Sequence, residues 1–219
     1  MTLWHTVIVV LINLLWGSMF IAAAIGLREF PPIFFTGIRF GLLAVLLFYF
    51  LRVPQRLIGP LFKIGLVMGV GMYLTLYLSI SLAENTASIA VFSKLEVPFA
   101  LLLGVILLSE RMGTAQITGV CIAMAGAIII TFDPAAFGDL PALFWMAVSC
   151  GFSAYGFIQI RRLEKVHPFS IVAWISVVSA PALLATSMIF ESNHLEVIQA
   201  STWSGWLALC YTAIVGSVI

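Results

Sequence analysis

Long apolar runs separated by short polar breaks dominate this sequence. A helix rises about 1.5 Å per residue, so about 20 apolar residues cross the roughly 30 Å hydrocarbon core of a bilayer. Eight runs approach or reach that length: 4–26, 32–51, 62–82, 86–108, 114–132, 139–160, 168–190 and 203–219. The pattern predicts a chain that folds within a membrane as a bundle of eight helices.

The composition agrees with this class of protein and excludes others. The 219 residues are 63% hydrophobic and 9% charged, whereas soluble domains carry about 25% charged residues. Membrane-spanning strands would be about 10 residues long with alternating polarity, a pattern that these runs lack. We therefore predict an all-α polytopic membrane protein surrounded by lipid. The net charge of +1 gives no indication of nucleic-acid binding.

The charges in the breaks predict an orientation. Basic residues concentrate in alternate breaks: Arg52, Arg56, Lys63, Arg111, Arg161, Arg162 and Lys165. The other breaks hold one base and most of the acids: Arg28, Glu29, Glu84, Asp133, Asp139, Glu191 and Glu196. Because basic loops face the cytoplasm, we expect a cytoplasmic N-terminus and a location in the cytoplasmic (inner) membrane.

The last run, 203–219, ends within apolar sequence and has no polar loop after it. We expect the sequence to be truncated within a helix, and a natural short C-terminus is the alternative.

A weak internal repeat relates the two parts of the chain. An offset of 136 residues pairs Pro32 with Pro168 and Asn13 with Ser149. Five helices separate the paired segments, so the two copies would have opposite orientations in the membrane. This predicts a five-plus-five inverted repeat, a plan in which transporters hold substrate near the bilayer midplane. The first repeat would span residues 1–133, and an incomplete second repeat would span residues 139–219.

Several short motifs carry a more specific signal. They are Asn13-Leu14-Leu15-Trp16-Gly17-Ser18, Pro32 followed by Arg39-Phe40, Asn85-Thr86-Ala87-Ser88 followed by Pro98 and Glu110-Arg111, and then Gly119 and Gly126. Together they resemble the EamA family of the drug/metabolite transporter superfamily, closely over the first repeat and more loosely over residues 139–219.

This resemblance implies ten helices, an inverted repeat and export of small metabolites, often amino acids or their derivatives. The chain departs from the family pattern at two points. The runs for helices 9 and 10 are absent, and Lys94 and Glu96 stand where the family usually has neutral residues.

The run 86–108 contains both of these charges, together with Pro98, near its midpoint. A charge at that depth costs a few kcal/mol and is by default a candidate for a substrate or ion pathway. Pro98 has no amide hydrogen, so the Lys94 carbonyl loses its helical partner and a local break is expected. Lys94 and Glu96 lie about 200° apart around a regular helix, which makes pairing between them unfavourable. Glu96 could carry a proton in exchange for substrate.

Three further residues are candidates for substrate binding or coupling. Arg39 lies about 11 Å into its run and Glu96 about 15 Å into its own from the same side, so the two could pair. A structural ion pair is the alternative to a functional one. Asn13 could line a cavity by hydrogen bonding and Trp16 by stacking, or both could serve helix packing.

Two glycine pairs suggest close helix contacts. Gly37-x-x-x-Gly41 and Gly65-x-x-x-Gly69 place small residues one turn apart on a helix face. We interpret both pairs as packing surfaces.

The leading functional hypothesis is a secondary transporter that works by alternating access without an ATP-binding loop, cofactor or metal. Summing Arg39, Lys94 and Glu96 gives +1 in the membrane core, which favours a carboxylate-bearing small-molecule substrate. An intramembrane enzyme and a non-transporting scaffold are the alternatives. No His-Glu-x-x-His motif supports the enzyme. We therefore predict that the protein has no enzymatic activity. A homodimer is a possible form of assembly.

Overall fold

The computed structural model describes residues 3–109, 112–131, 139–163 and 166–218. These residues form helices and connecting turns and include no strand. Nine helices follow one another in this part of the chain: α1 (Leu3–Gly26), α2 (Pro32–Leu46), α3 (Gln55–Leu82), α4 (Thr86–Leu108), α5 (Thr114–Thr131), α6 (Leu140–Arg161), α7 (Pro168–Phe190), α8 (His194–Ala200) and α9 (Trp203–Val218).

Each predicted apolar run overlaps one of these helices, and five helices are long and apolar enough to cross a membrane. The five are α3, α4, α6, α7 and α1 from Trp4 onward. The helix α2 is shorter and continues into a 3-10 turn at Phe48–Leu51. All-helical, multi-pass membrane architecture is therefore confirmed, whereas the full set of eight spans stays a prediction.

Two boundaries differ from the prediction for a physical reason. The helix α3 begins at Gln55 rather than at 62, and α8 lies within a segment read as a break. Both segments carry polar residues, such as Arg56 and Glu196, on short helical turns. Hydropathy measures transfer into lipid and not helix formation, so it assigns such turns to loops.

Four helices form the centre of the bundle. The helix α2 packs along α7, and α3 packs against α6 and α7. The helix α1 lies at the edge against α9, α4 packs on α6, and α5 packs on α4. Both α6 and α7 bury more of their length than α1 does.

Close contacts at glycine explain part of this packing. A Cβ at Gly37 would lie 2.8 Å from Leu184 Cδ2, and a Cβ at Gly69 would overlap Ser179 Oγ, both on α7. The interpretation of Gly37, Gly65 and Gly69 as contact points is confirmed, since a Cβ at Gly65 would also lie 2.8 Å from Val178 Cβ on α7. It is wrong for Gly41, where a Cβ would meet no atom within 4 Å.

Three carboxylates fasten helix beginnings at one end of the bundle. Glu191, after α7, accepts hydrogen bonds from the Ile33 and Phe34 amides at 2.9 and 2.8 Å. Asp139 accepts from the Glu84 amide at 2.6 Å, just before α4. Free amides at helix N-termini favour such anions. The same end holds Glu29, whose carboxylate accepts from Thr202 before α9 at 2.7 Å from the amide and 2.6 Å from the hydroxyl.

Basic and aromatic residues occupy the opposite end. Arg162 Nη2 donates to the Leu107 carbonyl at 2.7 Å, where a cation suits the C-terminus of α4. Lys63 Nζ lies 5.4 Å from the Tyr155 ring centroid. Three of the charges that predict the orientation, Arg111, Asp133 and Lys165, lie outside the described residues, as does Glu110.

Candidate functional site

The helix α4 changes geometry near its middle. A 3-10 turn at Ser93–Leu95 separates an α-helical segment that ends at Phe92 from one that begins at Glu96. Pro98 is buried in the first turn of the second segment. The break lies at the edge of the stretch where the missing proline amide predicts one, and it holds Lys94 within the turn.

Glu96 faces α6. Its Oε1 accepts a hydrogen bond from the Ser153 hydroxyl at 2.8 Å, and its side chain is partly buried. One turn earlier on α6, Cys150 Sγ lies 3.5 Å from the Ser93 carbonyl oxygen, within the range of a weak thiol hydrogen bond. The break in α4 is thus bordered by hydrogen-bonding groups from a single neighbouring helix.

Lys94 faces the other way. Its Nζ lies 5.7 Å from the Trp16 ring centroid on α1, and its side chain is exposed. Lys94 also lines a cavity of about 260 Å³ between α4 and α5. The two charges of α4 therefore face different neighbours, as their spacing predicts.

Arg39 lies elsewhere, fully buried between α2, α3 and α9. Its Nε donates to the Thr212 carbonyl at 3.0 Å and its Nη2 to the Ser217 hydroxyl at 2.6 Å. Its guanidinium carbon is 4.5 Å from the Tyr73 ring centroid and 6.0 Å from that of Tyr77. Nη1 is buried and has no hydrogen-bond partner among the described residues.

The proposed pairing of Arg39 with Glu96 is wrong in this structure. Each residue has its own partners, because α2 packs on α7 and α9 while the Glu96 side chain points to α6. Similar depth in the membrane was the basis for the pairing, and depth alone does not make two helices adjacent.

The side-chain amide of Asn13 bonds within its own helix and not to a neighbouring one. Its Nδ2 donates to the Val9 carbonyl of its own helix at 2.8 Å, and the side chain is exposed. It lies three residues before Trp16 and so shares that face of α1. The structure thus brings Trp16 of α1 close to Lys94 of α4. Asn13 lies on the same face of α1 as Trp16, and Arg39 lies elsewhere in the bundle.

The sequence-based predictions did not include the residues that contact Glu96 and Arg39. Ser153 and Thr212 carried no usable signal, because a lone serine or threonine in an apolar helix is common. Tyr73 and Tyr77 did carry one, since an i, i+4 pair of tyrosines within an apolar run marks one helix face.

Known proteins resemble the chain along most of its length. Residues 3–132 match the EamA-like transporter family. A probable amino-acid metabolite efflux pump of Salmonella typhimurium is 24% identical over 95% of this chain and 73% of its own length. A protein with the same description from Escherichia coli strain K12 is 23% identical over 97% of this chain and 74% of its own. An uncharacterized inner membrane transporter, YedA, of the same strain is 26% identical over 94% and 68%.

The five helices that are long and apolar enough to cross a membrane define a multi-pass membrane protein. The family match, which spans more than half of the chain, makes the class specific. The chain belongs to the EamA-like transporter family and is a membrane transporter of that family. The predicted resemblance is confirmed.

Proposed function

We propose that the protein exports small metabolites, namely amino acids or related compounds, across the cytoplasmic membrane by alternating access. The observation that carries this proposal is the break in α4, where Lys94 and Glu96 lie within an apolar span and face different helices. Charges held at that depth suit a substrate or ion pathway. The similar proteins described as amino-acid metabolite efflux pumps support the substrate class.

Helix contacts support a ten-helix, five-plus-five inverted repeat with units at 1–133 and 139–219. In such a repeat α1, α2 and α3 correspond to α6, α7 and α9. The contact of α3 with α6 then corresponds to that of α9 with α1, and the contact of α3 with α7 to that of α9 with α2. The repeat exchanges α2 with α7, so the contact between these two helices maps onto itself. All of these contacts occur in the structure.

The distribution of charge supports a cytoplasmic N-terminus in the inner membrane. The acids Glu29, Asp139 and Glu191 contact helix beginnings at one end, while Arg162 and Lys63 contact groups at the other. Because basic ends face the cytoplasm, the acidic end faces outward. The start of α1 lies at the basic end, opposite Glu29.

Within this transporter we assign the coupling role to Glu96 and substrate contacts to Lys94, Arg39, Asn13 and Trp16. Glu96 would carry a proton in exchange for a substrate that bears a carboxylate. An intramembrane enzyme, a scaffold without transport and a homodimeric assembly are alternatives that no contact in the described residues favours.

Flux into proteoliposomes tests both the transport and its coupling. We expect uptake of labelled amino acids or their derivatives that depends on an imposed pH gradient. Glu96→Gln keeps an oxygen that can accept the Ser153 hydrogen bond but removes the titrating proton. It is therefore expected to abolish the pH dependence of flux while the protein remains folded.

Glu196→Gln is the matched control, because it removes the same charge at an exposed position on α8. It should leave the pH dependence unchanged. Unaltered pH dependence in Glu96→Gln would contradict the coupling role. Flux equal to that of empty liposomes for all these compounds would contradict the transport function and favour the enzyme or scaffold.

A further inference from the structure

The cavity between α4 and α5 is a groove, partly open to its surroundings, that combines one cation with a mainly apolar lining. Its volume is about 260 Å³, at the small end of ligand pockets in proteins. Lys94 and Gln116 supply its polar groups, and Val97, Leu101 and Val120 belong to its apolar lining. A small, mainly apolar molecule with one negative group would match this lining.

The acid nearest to Lys94 in sequence forms no direct ion pair with it and acts on it only at longer range. Glu96 points to α6 and binds Ser153, on the other side of α4. Lys94 instead lies beside the Trp16 ring, which attracts a cation but carries no net charge. An ammonium at this depth gains most from a partner with a full negative charge.

The lining also disfavours a second, positive group on the ligand. None of the described residues that line the cavity is acidic. Gln116 Oε1, the side-chain acceptor in the lining, already accepts a hydrogen bond from the Gly113 amide at 2.9 Å. The ammonium of an ordinary amino acid would therefore lie unpaired beside Lys94, which costs free energy in an apolar site.

We propose that this cavity binds a small monocarboxylate that has an apolar tail and lacks an ammonium group, with the carboxylate on Lys94 and the tail between α4 and α5. As a statement about the transported substrate the proposal rests on the transport function given above, and it narrows the substrates named there to related compounds that lack an ammonium group. As a statement about binding it stands by itself.

Three matched compounds test the chemistry. They are 3-phenylpropionate, its neutral amide and phenylalanine, which differs from the first by its ammonium group. Equilibrium binding to the full chain in lipid nanodiscs, with empty nanodiscs subtracted, is expected for 3-phenylpropionate. The amide should bind at least about tenfold more weakly because it lacks the negative charge that pairs with Lys94. Phenylalanine should bind more weakly by a similar factor because its ammonium group would be buried without a partner.

Gly119 offers a position where a larger side chain would reduce the space in the cavity. It lines the cavity, and a Cβ built there would meet no atom within 4 Å. Gly119→Leu is expected to abolish binding of 3-phenylpropionate. Gly126→Leu is the matched control, because Gly126 lies on the same helix, has equally open surroundings and does not line the cavity. It should bind as the unaltered protein does.

Substitutions of Lys94 test the charge itself. Lys94→Gln should weaken binding about tenfold or more, and Lys94→Arg, which keeps the charge, should restore most of it. The proposal is overturned if 3-phenylpropionate fails to bind, if phenylalanine binds equally well, or if Gly119→Leu binds normally. Binding of palmitate but not of 3-phenylpropionate would identify a fatty-acid site in the bilayer and would also overturn it.

Flux measurements separate this proposal from the transport function. Binding of 3-phenylpropionate without its transport would uphold the cavity and contradict its role as the transported substrate. Transport of other metabolites by protein that does not bind 3-phenylpropionate would uphold the transport function and reject the cavity proposal.

Discussion

At the residue scale, Arg39 shows how a buried charge can be held by neutral groups. Its guanidinium donates to Thr212 and Ser217 and lies over the Tyr73 ring, while Nη1 has no hydrogen-bond partner in the part of the chain that the structure describes. Neutral acceptors stabilise a buried cation less than a carboxylate does. Arg39 is therefore a buried cation that has no carboxylate partner among the described residues around it.

We expect a substrate carboxylate to use this charge during transport. Arg39→Gln should then raise the KM for a carboxylate-bearing substrate about tenfold, as the loss of one charge-assisted hydrogen bond predicts. Initial flux into proteoliposomes over a range of substrate concentrations measures the change. Arg39→Lys alters the same packing but keeps the charge, so its KM should stay closer to that of the unaltered protein. Equal KM values in all three proteins would reject a binding role for Arg39.

At the scale of helices, the close approach of α3 and α7 depends on two missing side chains, those of Gly65 and Gly69. The middle of α3, Gly65–Met72, is a π-helix, and Gly69 within it contacts Ser179 of α7. Ser179 in turn donates to the Ile175 and Gly65 carbonyls at 2.6 and 3.2 Å. This contact joins two of the four central helices, so it bears on the stability of the whole bundle.

Gly69→Ala is expected to destabilise the protein by about 1–3 kcal/mol, the usual cost of overpacking, because its Cβ would overlap Ser179. Gly41→Ala has free space and should be neutral or stabilising by up to about 1 kcal/mol, since alanine is the better helix former. Thermal unfolding in detergent measures both, and adding Ser179→Gly should recover part of the loss. Equal unfolding temperatures for the two single variants would show that this contact is unimportant.

At the scale of the whole molecule, acids near one end join helices that are distant in sequence. Glu29, between α1 and α2, holds the beginning of α9 through Thr202 and Ser204. These bonds, chiefly from the Thr202 hydroxyl and then its amide, lower the pKa of the Glu29 carboxyl below its usual value of 4.5. The pKa is depressed in the folded state, so the contribution to stability is present above that usual value. It is lost as the pH falls through the lowered pKa.

Acid should therefore loosen the beginning of α9 before the rest of the bundle. We expect hydrogen exchange at the Thr202 amide, corrected for its intrinsic rate, to become faster as the pH falls below the usual glutamate range. Glu29→Gln should show weaker protection of this amide at neutral pH and little further change in acid. Protection that is the same in both proteins at every pH would contradict the role of Glu29.

Much of the architecture could be predicted from sequence, because hydropathy is a local property. Each apolar run overlaps a helix, and the motifs around Trp16, Arg39 and Pro98 identified the family. The acid-rich breaks also indicated one end of the bundle, although not that Glu29 or Glu191 would cap another helix. A cap joins groups far apart in the chain, and no local pattern reports it.

The sequence by itself determined the membrane class, the helices, the family and the opposite directions of Lys94 and Glu96, since a helix rotates by a fixed angle at each residue. Only the tertiary structure decided what those charges meet: Ser153 for Glu96, Trp16 for Lys94, and α9 for Arg39. Helices that are apolar on all sides show no preferred face in their periodicity, so neighbours are chosen by close packing and polar contacts between distant segments.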